Sequence, residues 1–206
     1  MYYKKIRVKS LDAPKRLYRL LYVREDLNLF QLGVTILLAF DCEFCHMFTL
    51  EDQKNTYVDK SWLNETPYIF DLLLSIPQEK DYEKHKISDL ALGANNTFKL
   101  YYDSGDNWEF EIKVYKAEKD LPGEAFGHLI EGAGASIWED NRQLFWKFIE
   151  SGSDALSVEE KDFLSEMINV DVETFDAPLD IDYFKDKIDK AESTCGRLQE
   201  IQDSYL

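Results

Sequence analysis

Residues 41–46 read Asp-Cys-Glu-Phe-Cys-His, and Cys42, Cys45 and His46 satisfy the Cys-x-x-Cys-His spacing by which a c-type haem is attached. The same two thiols are half of a tetrahedral zinc site, which calls for a second pair of ligands. Cys195 stands alone, and His85 and His128 show no ligand spacing. The start of the chain carries charges with no apolar stretch behind them, so no secretory leader is expected. Three cysteines without one suit a reducing, cytoplasmic compartment. We therefore expect no haem, no zinc and no other cofactor. In Cys-His-Met-Phe-Thr-Leu, His46, Phe48 and Leu50 fall on one strand face, and the thiols before them are incidental.

The carboxylates offer more. Hard divalent cations want several oxygen ligands, and paired carboxylates can hold one or share a proton. Asp103, Asp106, Glu139 and Asp140 are the set from which a metal-dependent hydrolase would be built. The same residues have a purely structural use: Asp103 and Asp106 accept backbone N–H groups in a turn, Glu109 and Glu111 lie on a solvated strand face, and Glu139 and Asp140 cap the next helix. Phosphate-cradling, dinucleotide and nucleophile-elbow motifs are missing. No catalytic residue and no metal ligand is assigned, and an enzyme is not the first expectation.

These groups need elements to position them. Residues 3–10 and 17–24 read as two strands around an Asp-Ala-Pro turn. Asn28 and Gln31 form a capping-box pattern opening a helix over about 28–41. Its stripe of Leu29, Leu32, Ile36 and Phe40, widened by Phe30, Val34, Leu37 and Leu38, demands packing on nearly all sides. Extended stretches are predicted at 46–52 and 56–62, an apolar segment of either type at 68–76, and a charged loop at 77–86. The clearest hairpin spans 97–119. Phe98, Leu100 and Tyr102 alternate before its turn, Trp108, Phe110, Ile112 and Val114 after it, and Gly105 is free to take positive φ. A glycine-rich loop at 121–136 leads to a helix at about 138–150; Ser157 with Glu160 caps another ending near 169; the last runs from about Asp180 to Asp203.

The hairpin carries a likeness. Its Tyr-Asp-Ser-Gly-Asp-Asn-Trp-Glu-Phe-Glu-Ile resembles the Tyr-x-Tyr-Asp-Phe-Gly-Asp-x-Trp-x-His-x-Ile pattern of the plasmid pRiA ORF-three-like family. Tyr102, Asp103, Gly105, Asp106, Trp108 and Ile112 match, while Ser104 stands for the family's Phe and Phe110 for its His. Arg19 falls in the family's basic strand, Gly33 where its helix His is usual, and His46 on its strand His. Glu139 and Asp140 survive from a block that has lost its Pro-Pro and Cys-Gly-Gly. The resemblance covers about residues 3–150 and implies a protein of plasmids and mobile elements with no established activity. It marks Tyr102, Gly105 and Trp108 as structural, and Asp103, Asp106, Glu139, Asp140, His46 and Arg19 as a candidate functional surface.

Formal charge is −16, and residues 151–206 contribute 15 acids against 5 bases. That lowers the expectation of non-specific nucleic-acid binding. Residues 1–24 nonetheless hold eight bases against Asp12, so DNA binding through Lys5, Arg7, Lys9, Arg16 and Arg19 is a local alternative to a solvated face. The fold expected is α+β: a mixed or antiparallel sheet with the 28–41 helix packed on it over residues 1–150, then an acidic helical extension over 151–206. Phe184, Ile188, Ala191, Cys195 and Leu198 make a 4-3-4-3 seam, suited either to an unknown partner or self-association or to packing on its own domain. The 180–203 helix is expected to be separable from the fold. The function expected first is a non-catalytic binding or interaction module, away from the membrane.

Overall fold

The structure, a computed structural model, describes residues 1–64, 78–93, 95–168 and 170–203. Its strands are β1 (Tyr2–Ser10), β2 (Tyr18–Arg24), β3 (Phe48–Glu51), β4 (Asn55–Val58), β5 (Gln78–Asp81), β6 (Thr97–Tyr102), β7 (Trp108–Asp120) and β8 (Gly127–Ala133). They form one mixed sheet in the order β5-β4-β3-β6-β7-β1-β2-β8, parallel only between β4 and β5. The helices are α1 (Leu29–Leu38), α2 (Arg142–Ser151), α3 (Val158–Ile168), α4 (Ile181–Ile188) and α5 (Ala191–Asp203). The fold is α+β, and none of the described helices is long and apolar enough to cross a membrane. The apolar segment at 68–76 lies outside the described residues.

The capping box of α1 is present. Asn28 Oδ1 accepts from Gln31 N at 2.8 Å, and Gln31 Oε1 accepts from Asn28 N at 3.1 Å. All of α1 except Gln31 is buried, because the helix is covered by β3 as well as by α4 and α5. Gly33 is part of this packing: a Cβ there would overlap the Phe48 ring, so the space that a side chain at 33 would need is filled from β3. Ser157 and Glu160 cap α3 reciprocally, at 3.2 and 2.7 Å.

Four segments depart from expectation. The charged run at 77–86 yields β5 and a 3-10 turn at Tyr82–Lys84; a strand so short and charged carries no apolar alternation and so reads like a loop. The glycine-rich stretch contains β8, whose Gly127 and Gly132 sit where Thr35 and Leu179 approach too closely for any Cβ. The helix expected from 138 begins at Arg142, because Asp140 takes a left-handed φ of 58° and interrupts the helical backbone before it. The last helix divides between Ile188 and Ala191, which lets Phe184 and Ile188 of α4 and Ala191 and Cys195 of α5 all turn inward.

The expected seam is therefore buried within the chain: those four residues belong to the same core as α1 and the sheet, and Leu198 packs against it. The core also continues past residue 150 through Leu156, Leu164, Val170, Val172 and Phe175.

Candidate functional site

Three loops converge at one end of the sheet: 41–46 after α1, 103–107 between β6 and β7, and 138–141 before α2. Left-handed backbone is concentrated there, at Asp41, Phe44, Asp103, Asn107 and Asp140, with φ of 61, 62, 60, 56 and 58°. In the hairpin turn the positive φ expected of Gly105 falls instead on Asp103 and Asn107. Asp103, 4% exposed, accepts from Gly105 N at 2.8 Å, and its own N–H donates to Met47 O at 3.0 Å. That last bond ties the turn to the segment that carries His46.

His46 lies between two carboxylates. Its Nε2 is 3.0 Å from Asp140 Oδ1 and its Nδ1 3.6 Å from Asp103 Oδ1. Each of the three residues offers a ligand atom, and these atoms all lie within 4.8 Å of one another. Asp140 is the open side, 70% exposed against 31% for His46. One imidazole nitrogen and carboxylate oxygens suit a divalent cation.

The other predicted residues surround this trio in different roles. Glu139 is half-buried, with Oε2 accepting from Glu43 N at 2.9 Å and Oε1 accepting from the Tyr102 hydroxyl. Burial raises its carboxyl above the usual range, while those two donors oppose the rise. It does not cap α2, and neither does Asp140. Asp106 does: its Oδ2 accepts from Arg142 N at 3.1 Å. The Asp106 carboxyl is also raised, first by burial and then by the charges of Asp103 and Asp140, against the Arg142 hydrogen bond. Trp108 is fully buried, edge-on to Phe145 at 5.1 Å. Phe110 packs on Phe40 at 4.7 Å. Cys42 is buried and Cys45 exposed, and both thiols are pushed up by desolvation and by the charge of Glu139.

Arg19 is not on a surface. It is 0% exposed and donates from Nε to Ala39 O at 2.6 Å, from Nη1 to Ala133 O at 2.6 Å and from Nη2 to Ala135 O at 2.6 Å. Phe40 and Phe184 flank the guanidinium. Burial draws its pKa down to about 9, with Asp41 and then Cys42 opposing. Arg19 thus holds the end of α1 against the strand leading to residue 138, and so positions the loops of His46 and Asp140. Sequence reasoning missed a second strut, Arg142. Its Nε and Nη2 grip Asp12 at 3.0 and 2.9 Å, and its Nη1 donates to Asp106 O. No spacing signal could have linked Asp12 and Arg142, which lie 130 residues apart.

A mixed sheet, eight-stranded among the described residues, with helices packed over α1 and a carboxylate-rich loop cluster at its end defines an α+β protein of the hairpin type described above. The chain belongs to the plasmid pRiA4b ORF-3-like protein family, whose model matches residues 3–180. The match runs past residue 150 to the start of α4. A crystal structure of a protein of unknown function from Methanosarcina mazei Go1 shares the fold, with a TM-score of 0.61 and 18% identity over 79% of this chain and 88% of that one. No curated protein matches the sequence.

Proposed function

We propose that this protein is a binding module that takes up a divalent first-row cation at His46, Asp103 and Asp140. The observation that carries this is the convergence of three ligand atoms within 4.8 Å, supplied by three separate loops. Binding to the folded state alone must stabilise it, by about 2.7 kcal/mol at a hundredfold excess over Kd. Mn²⁺ and Zn²⁺ titrations followed by melting temperature test this. His46→Ala and Asp140→Asn should each abolish the rise; an absent rise, or one that survives both variants, refutes it.

A metal-dependent hydrolase is the second possibility, favoured by Glu139, a carboxyl above its usual range beside the trio and fit for proton transfer. Turnover of a phosphoester or amide that needs the cation and is lost in Glu139→Gln would promote it. The DNA-binding alternative rests on fewer residues than the sequence offers: Lys9 pairs with Glu111, Arg16 with Asp176, and Arg19 is buried, while Lys5 and Arg7 lie over the Tyr115 and Tyr18 rings.

A further inference from the structure

His46 also lines a cavity of about 340 Å³, within the size range of small-molecule sites. Most of its wall is apolar, with Phe30, Phe44, Phe48, Tyr82 and Leu198 contributing. Phe30, Phe48 and Tyr82 are stacked in one wall, with ring centroids 5.2, 5.3 and 6.0 Å apart. Asp59 faces the same space although it is only 3% exposed. Its Oδ1 accepts from Ser61 N at 2.7 Å and its Oδ2 from the Tyr82 hydroxyl at 3.0 Å. Gln202 Nε2 donates to the same Tyr82 oxygen at 3.1 Å, which turns the phenol hydrogen toward Asp59.

Among the described residues, these partners of Asp59 are neutral donors. A buried carboxylate whose donors are all neutral is a ready partner for a cationic group brought into the cavity. The aromatic wall is itself attractive to an ammonium group. We propose that the cavity binds a small organic cation: an amine on an aromatic or aliphatic body, its nitrogen at Asp59 and its body against Phe48 and Leu198. Asp59 lies outside the His46 cluster, so this site does not depend on a bound metal.

The test is a calorimetric titration of the full chain with phenethylamine, phenethyl alcohol and hydrocinnamate, in EDTA so that no metal at His46 contributes. The amine should bind about tenfold more tightly than the alcohol, a difference of about 1.4 kcal/mol, and the carboxylate should not bind. Asp59→Asn should reduce the amine to the alcohol's affinity. Leu198→Trp, which fills the cavity from α5, should weaken both. Equal binding of amine and alcohol, no binding of either at millimolar concentration, or an amine affinity unchanged in Asp59→Asn would overturn the proposal. So would a concentration-dependent dimer that buries the cavity. If Asp59→Asn does not fold, the amine-to-alcohol ratio and Leu198→Trp still decide.

Discussion

Replacing Asp106 by Asn and by Ala separates a helix cap from a cation ligand. Asp106 Oδ2 accepts from Arg142 N, the first N–H of α2. Ala removes that acceptor, and loss of a side-chain cap costs about 1 kcal/mol. Asn keeps an oxygen in place but as a weaker, uncharged acceptor, and it removes a charge that burial, Asp103 and Asp140 all disfavour. The two changes offset, so Asn should fall within about 0.5 kcal/mol of wild type. Urea unfolding near neutral pH, with and without Mn²⁺, measures both quantities. Because Asp106 is outside the His46 trio, the cation-induced stabilisation should survive in both variants. An Asn variant as damaging as Ala, or one that loses the cation response while retaining metal-free stability, would refute this reasoning and make Asp106 a ligand.

Trp108→Ala should cost about 3–5 kcal/mol in chemical denaturation, as deletion of a fully buried aromatic does. Its indole N–H is buried and finds no partner among the described residues, so Trp108→Phe loses no hydrogen bond and should cost clearly less than Trp108→Ala, the difference being the smaller cavity left behind. A chain ending at residue 178 should aggregate or melt without cooperativity, because α4 and α5 cover α1; a sharp thermal transition would show that they are dispensable. Glu139 is raised in the fold, so its contribution to stability is full below the ordinary carboxylate range and is lost as pH rises through the raised value. Glu139→Gln should therefore compare best with wild type near neutral pH and lose that advantage on acidification, measured by urea unfolding at several pH values.

What could be read from the sequence was local. Asn28 and Gln31 are three residues apart, and the hairpin's alternation places Trp108 and Ile112 inward without reference to any other element. The sheet, the buried helix and the family likeness followed from such patterns. The site did not, because its geometry depends on pairs far apart in sequence: His46 and Asp140 are separated by 94 residues, Arg19 and Ala135 by 116. Arg19 was conspicuous as a charge in a basic strand, yet its carbonyl partners carry no side-chain signature. β8 was hidden for a related reason. Its glycines, which suggest a loop, are required by the close approach of α1 and the segment before α4.

The contact between Gly33 and Phe48 bears on how this chain can change by mutation. A side chain at 33 and an aromatic ring at 48 compete for a single volume, so the two positions cannot drift independently. Growing position 33 first forces overpacking of about 1–3 kcal/mol or more, while shrinking Phe48 to Ala first opens a cavity costing about 3–5 kcal/mol. The passable path runs through a partial reduction at 48, such as Leu, before position 33 enlarges. Selection for suppressors of Gly33→His should therefore return smaller residues at 48.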